Sequence, residues 1–446
     1  MHMRYVFLLF VVILASQGCV PSHILAKGKR KQLKKQIEQD SIFNRQFTGF
    51  ALYDPVTDSL LVDVKAHHYF TPASNTKILT LATSLQVMGD SLPLLRFLDL
   101  GDTILIRGTG YPGIEYGPLP EDHQLVEFLR SREEVIAYAD ANFYDDAFGP
   151  GWSWGDYQWY YQAERNDLPL FGNVVRATGL PNSTTFQMWP VYFNSLVYPQ
   201  PDTTYPYGFV WRETDRNVFH FNVQPFDSTG YERDIPVHVS PELTRRLLSD
   251  LTGKTVIPWH QKIPGTGWTT LMADLPADSI YRHMMQVSDN YLAEQLLLTA
   301  SGVLTDSLQS GKAIDYMLAG PWADLPDQPQ WVDGSGLSRY NLNTPASLVE
   351  VLGRVYRTKG LNWIQQIFPV GGKSGTIAHW YSGPEGKPYV WAKTGSLLNN
   401  HCLSGFILTR SGKVYVFSFM NNHFTGSANA PRRSMQRVLE WMYWNL

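Results

Sequence analysis

Between residues 98 and 270 the texture of the chain changes, and that change limits how the remainder can fold. On either side the pattern is regular. Upstream, "FTGFALYDPVTDSLLVDVKAHHYF" alternates apolar and polar residues around "DPVTD", a strand–turn–strand signature. "SNTKILTLATSLQVMG" then places Ile78, Leu79, Ala82 and Leu85 on one helical face. Downstream, 280–300 and 344–358 read as helical, and "YVWAKTGSL", "CLSGFILTR" and "KVYVFSFMNN" as strands, the last two joined by a tight Ser-Gly turn. The closing helix, "APRRSMQRVLEWMYWNL", carries Met435, Val438, Leu439 and Met442 on its inner face. In the middle, short strand-like runs ("DTILIRGTGYP", "VIAYAD", "NVVRATG", "VFHFNV") alternate with loops rich in Pro, Gly and Trp. One helix interrupts them at 240–253, with a Ser cap and Pro at its first position. The expectation is a core domain built from 46–97 and 271–446, with one or more β-rich domains inserted at 98–270.

The chain can bury such a core: of its 446 residues 44% are hydrophobic and only 17% charged, which argues against disorder. A net charge of −3 leaves no basic footprint for nucleic acid. The one basic run, Lys27, Lys29, Arg30, Lys31, Lys34 and Lys35, reads as a solvated tether within a linker at 20–45 that holds a short polar helix. Before it, Arg4 flanks an apolar run from Tyr5 to Ala15, eleven residues long. That is the length of a signal peptide and too short for a membrane span. Residues 1–19 are therefore expected to direct export to the periplasm. Ser16 and Gly18 precede Cys19 as small residues, so the segment also resembles a bacterial lipoprotein signal, in which the Cys is lipidated and anchors the chain to a membrane. Cys402 is the other cysteine, and its apolar setting reads as a buried small residue.

Several motifs are missing. There is no His-Glu-x-x-His, no Cys/His set at zinc spacing, and no Gly-x-Ser-x-Gly elbow. "LTGKT" at 251–255 lacks the Gly that a Walker loop needs five residues before Gly253. What remains is "TPASNTKILT" at 71–80. The same four letters return in "TPASLVEVL" at 344–352, and both read as helix starts, with Thr able to cap and Pro tolerated at the first position. In the first copy Lys77 stands three residues after Ser74; in the second that place is Glu350. One helical turn brings the Lys77 amine to the Ser74 hydroxyl. A lysine whose pKa is lowered by burial or by a second cation can take the serine proton. No other lysine of the chain has a serine three places before it.

Two further triplets fit that chemistry. "SDN" at Ser288–Asn290 offers a hydroxyl for proton transfer and an amide for a substrate carbonyl. "KTG" at Lys393–Gly395, on an expected strand, offers a cation and a hydroxyl for an anionic substrate end, with a Gly that lets substrate approach the backbone. Lys393 is also a cation able to depress Lys77. "KSG" at 373–375 has nearly the same form, and "SAN" at 427–429 mimics Ser-x-Asn but lies after both.

Ser-x-x-Lys, Ser-Asp-Asn and Lys-Thr-Gly in this order are the set of serine β-lactamases and penicillin-binding proteins. Ser74 lies 214 residues before Ser288, and Ser288 105 before Lys393. The long first interval resembles the penicillin-binding protein 4 type of D-alanyl-D-alanine carboxypeptidase/endopeptidase. "RGTGYPGI" resembles that family's Gly-Gly-Asp-Pro segment, with Tyr111 in place of the Asp. "GWSWGDYQWYY" resembles its Trp-x-Trp-x-Asp segment, "DGSGLSRYNLNTPASLV" is a close match, and "FPVGGKSGTI" resembles its Pro-x-x-Gly-x-x-Gly-Thr segment, which favours 393–395 over 373–375. The resemblance spans roughly 46–446. It implies an α/β (α+β type) fold, with a DD-peptidase or serine β-lactamase-like core of antiparallel sheet flanked by helices. It implies Ser74 as acylated nucleophile, Lys77 as its base, Ser288 and Asn290 in proton transfer and substrate binding, and Lys393, Thr394, Gly395 and Ser396 in substrate binding. The backbone N–H groups of Ser74 and Ser396 would form the oxyanion hole. The implied substrate is the D-Ala-D-Ala end of a peptidoglycan stem peptide or a D-amide cross-link, with β-lactams as inhibitors and no metal or organic cofactor. A β-lactamase and a non-catalytic cell-wall or β-lactam-binding protein are the rival readings.

Overall fold

The computed structural model describes residues 25–200 and 210–446. The expected signal segment and Cys19 lie outside the described residues.

The two ends of the chain meet in one five-stranded antiparallel sheet. Its order is Val390–Leu397, Asn400–Leu408, Val414–Asn422, Phe47–Asp54, Ser59–Val64. The N-terminal strand therefore pairs with the last one, with Phe47 opposite Asn422 and Phe50 opposite Phe419. Strand alternation divides the core in two. Phe50, Leu52, Val390, Leu403 and Phe417 face one side, where the closing helix Asn429–Asn445 lays down Met435, Val438, Leu439 and Met442. Ala51, Tyr53, Trp391 and Phe406 face the other, against the helices Lys77–Val87 and Pro345–Ile367. The Ser-Gly hairpin forms as expected, with Gly412 at φ +87°. Cys402 is fully buried, and burial pushes its thiol up to about 12.

The basic run is not a tether. Lys27–Glu38 is a helix whose Leu33 and Ile37, four residues apart, are 0% and 1% exposed in the same core as the closing helix. From Leu25 onward the expected linker is thus part of the packed fold, because two apolar residues at helical spacing outweigh six outward cations.

Between Val87 and Ala277 the described residues build three more sheets. A five-stranded sheet is ordered Val256–Pro258, Val135–Tyr138, Thr103–Arg107, Pro93–Asp99, Thr269–Met272, beginning and ending slightly outside 98–270. Two three-stranded sheets follow, one of Tyr231–Pro236, Val174–Gly179 and Phe186–Trp189, the other of Val197–Gln200, Phe219–Asn222 and Val210–Arg212. The helix Pro241–Thr252 has its Ser240 cap, whose hydroxyl accepts from Leu243 N, and ends on Gly253 at φ +70°. No helix among the described residues is long and apolar enough to cross a membrane.

One expectation fails locally. The stretch 280–300 is two helices, Ala277–Val287 and Asn290–Thr305, broken at the Ser-Asp-Asn triplet. Ser288 adopts φ +65° and ends the first helix, and Asp289 caps the second by accepting from Leu292 N at 3.0 Å. Asp, a strong N-cap residue, outweighs the continuous apolar periodicity.

Candidate active site

Ser74 does not stand at a capped helix start. Thr71 does not cap: no side chain caps this turn, and the segment Ala73–Thr76 is a tight 3-10 turn before the α-helix begins at Lys77. Ala73 has φ +48°, an unfavourable conformation for any residue with a Cβ. Gly336 holds it there: a Cβ on Gly336, itself at φ +80°, would lie 1.9 Å from the Ala73 carbonyl oxygen. On the opposite side a Cβ on Gly395 would meet Pro72 O at 2.2 Å and Ser74 N at 3.1 Å. The Lys-Thr-Gly strand can come this close only because residue 395 has no side chain. Asn75 ties the two together, donating to Lys393 O at 2.8 Å and accepting from Ser404 Oγ at 2.7 Å.

The turn puts Lys77 Nζ 3.1 Å from Ser74 Oγ. The amine also donates to Asn290 Oδ1 at 2.6 Å and to the Ser335 carbonyl at 2.8 Å. None of these partners is charged. Burial pulls the fully buried amine down to about 8, against the attraction of Glu294, Asp289 and Asp333. Lys393 is equally buried, donating to Ser288 Oγ and to Thr394 O, both at 2.8 Å. Burial and the neighbouring Lys77 hold it well below the usual lysine range. Burial thus leads the depression of both amines.

Asn290 is oriented from behind, its Nδ2 donating to the Tyr161 carbonyl at 2.9 Å. Asp289 turns away, accepting from Tyr116 at 2.5 Å. Thr394 Oγ1 donates to Thr376 Oγ1 at 2.7 Å, and Ser396 Oγ lies 2.8 Å from His401 Nδ1. All eight expected site residues therefore lie in one connected neighbourhood, drawn from the Ser74 turn, the helix break and the edge strand of the sheet.

Sequence reasoning missed several contributors. Ser335 acts through a backbone carbonyl that no motif reveals. Its loop is held by Glu294, which accepts from Ser335 N at 2.7 Å and Gly334 N at 3.2 Å, and by Asp333, which accepts from Gly336 N, Ser338 N and Trp152 Nε1. Burial, with Asp333 nearby, pushes Glu294 up to about 7. The Gly-rich run "DGSGL" was the available signal. The decoys separate clearly. Lys373 is exposed and Ser374 bonds Gln286, although the following Thr376 reaches Thr394. Ser427 sits just before the closing helix and accepts from Asn429 N.

A partly exposed serine beside a buried lysine, with a second serine–lysine contact and a donor-lined edge strand next to it, is the equipment of a serine acyl-transfer enzyme. Comparison with known proteins agrees. The model of the D-Ala-D-Ala carboxypeptidase 3 (S13) family matches residues 29–190 and 269–442. A D-alanyl-D-alanine carboxypeptidase, DacB, of Haemophilus influenzae is 22% identical over 422 residues, 85% of this chain and 86% of the relative. A carboxypeptidase DacB of Mycolicibacterium smegmatis is 29% identical over 193 residues, 42% of this chain and 39% of the relative. The crystal structure of penicillin binding protein 4 from H. influenzae has a similar fold, with a TM-score of 0.70 at 20% identity, covering 93% of this chain and 98% of that one. The chain belongs to the D-Ala-D-Ala carboxypeptidase 3 (S13) family and is a serine-type D-Ala-D-Ala carboxypeptidase.

Proposed function

We propose that Ser74 is the acylated nucleophile and Lys77 its general base, acting on the D-Ala-D-Ala end of peptidoglycan stem peptides. One observation carries this: Lys77 Nζ stands 3.1 Å from Ser74 Oγ, fully buried, with no carboxylate among its hydrogen-bond partners. A buried amine lowered to about 8 is a free base often enough near neutral pH to accept the hydroxyl proton. Ser74 Oγ then attacks the carbonyl carbon of the penultimate D-Ala, and the oxyanion takes hydrogen bonds from the Ser74 and Ser396 N–H groups. The C–N bond breaks, Ser288 protonates the departing D-Ala amine, and Lys393 resupplies Ser288 through their 2.8 Å contact. As D-Ala leaves, Lys77 sheds the Ser74 proton to solvent and Lys393 regains one, so Lys77 is neutral again. Water then attacks the ester, and Lys77 takes its proton and returns it to Ser74 Oγ as the acyl–oxygen bond breaks. Lys393 has no anionic hydrogen-bond partner among the described residues, so the substrate carboxylate would supply the countercharge that burial denies it. The same geometry favours β-lactams, whose carboxylate and strained amide present the same groups and leave an acyl-enzyme on Ser74. Export to the periplasm through residues 1–19, with a lipid on Cys19, fits a cell-wall substrate.

The test is intact-protein mass after brief incubation with penicillin, on wild type and Ser74→Ala. A single adduct on wild type alone supports the reading, and D-alanine release from a pentapeptide follows. Intact penicillin without an adduct points to a binding protein, and hydrolysed penicillin without an adduct to a β-lactamase.

A further inference from the structure

The strand carrying Lys393, Thr394 and Gly395 runs on to Ser396, which is exposed and paired in register with His401 on the neighbouring strand. His401 is fully buried. Its Nδ1 lies 2.8 Å from Ser396 Oγ, and its Nε2 lies 3.3 Å from Nε of Arg432 on the closing helix. A guanidinium nitrogen can only donate, so Nε2 must accept. A neutral imidazole accepting at Nε2 carries its proton on Nδ1. Burial, with the Arg432 charge beside it, pushes the ring down to about 3, so it is neutral under ordinary conditions. Arg432 is itself steadied over the Trp380 ring, 5.5 Å from its centroid.

The direction of the next bond follows. Nδ1–H donates to Ser396 Oγ, so the hydroxyl proton of Ser396 is not used on the histidine. With the opposite tautomer, Ser396 would donate inward to a bare Nδ1 and turn only lone pairs toward an arriving anion. We propose that Arg432 and His401 are positioning residues that lock the Ser396 hydroxyl as an outward donor to the carboxylate of the substrate or of a β-lactam. This rests on the assignment of Ser74 and Lys393 above and adds to it two residues outside the three motifs. The ligand class it selects is an acyl donor with a free carboxylate.

The experiment measures the acylation rate constant with benzylpenicillin and with its methyl ester, by intact mass, alongside thermal melting. His401→Phe fills the volume without a donor, His401→Asn keeps an amide donor, and Arg432→Met removes the group that sets the tautomer. His401→Phe should slow the carboxylate form about 10- to 100-fold, the scale of a lost hydrogen bond to a charged group, and the ester less than about threefold. Arg432→Met should show the same selectivity at about three- to tenfold. His401→Asn should recover most of the loss, and on a Ser396→Ala background His401→Phe should have no further effect. Equal losses on acid and ester, additive losses with Ser396→Ala, or unchanged rates would each overturn the relay. Should His401→Phe fail to fold, Arg432→Met carries the test. A wild type that forms no adduct sinks the acyl-enzyme reading itself. Normal wild-type acylation with an unselective Arg432→Met sinks only the relay.

Discussion

Thr-Pro-Ala-Ser occurs twice in this chain, and the two copies fold differently. At 344–347 Thr344 caps the helix Pro345–Ile367 by accepting from Ser347 N at 3.1 Å, with Pro in the first turn. Ser347 is buried and its hydroxyl bridges the backbone of Asp327. At 71–74 the cap is absent, Ala73 is at φ +48°, and a 3-10 turn exposes Ser74 in part beside Lys77. The letters are the same, so the difference comes from outside the segment. Gly336 presses on Ala73, and Gly395 admits the edge strand. The first copy gives up a stable helix start to aim one hydroxyl. The second keeps it.

The sharpest break in the comparison is Ser to Ala in each copy. Ser74→Ala should lower acylation by roughly 10⁴-fold or more, as loss of an activated nucleophile does. Ser347→Ala should leave acylation unchanged and lose about 1–3 kcal/mol of stability, because the Asp327 backbone groups lose their partner. Penicillin labelling and denaturant melts on the pair separate the two outcomes, and comparable labelling losses would refute the assignment.

Next is the surrounding glycine. Gly336→Ala puts a Cβ where the Ala73 carbonyl lies and should lower stability by more than about 2 kcal/mol or abolish labelling outright. Gly412→Ala, also at positive φ but with open space around it, should lose only about 1 kcal/mol and label normally.

The pH profile tests the lysine that distinguishes the copies. On the proposed mechanism Lys77 acts as the neutral amine, and burial lowers its pKa to about 8. Acylation should therefore climb about tenfold per pH unit below that value and level off above it. A rate that is flat, or falls, between pH 6 and 8 would remove Lys77 as the base.

The smallest effect carries opposite signs. Ala73→Gly should stabilise by up to about 1 kcal/mol, since Gly accepts φ +48° freely. Ala346→Gly, in the first turn of an ordinarily capped helix, should destabilise by up to about the same amount. Melting curves of the two variants decide it, and equal signs would mean the Ala73 conformation is not strained.

The outline of the fold was legible because it rests on local periodicity. The sheet strands, the Ser240-capped helix and the inward face of the closing helix all follow from spacing that one segment carries alone. The expected helix start at Thr71 failed because distant segments hold its turn, and two other local readings failed for one shared reason. At Ser288–Asn290 and at Leu33–Ile37, a short feature, a cap in one case and two apolar residues in the other, outweighed the average texture around it.

For the site, the sequence by itself determined which side chains are available and in what order: a serine with a lysine one turn on, a Ser-Asp-Asn triplet, and a Lys-Thr-Gly strand. Tertiary structure alone decided how those groups are charged and aimed. The neutral partners of Lys77 lie 213 and 258 residues away in Asn290 and the Ser335 carbonyl, and its lowered pKa is a property of burial. The strained Ala73, the close approach at Gly395 and the orientation of His401 likewise exist only once distant segments touch. Hydrogen-bond direction, desolvation and backbone strain depend on what lies across a contact, and a linear pattern of residue types does not contain that.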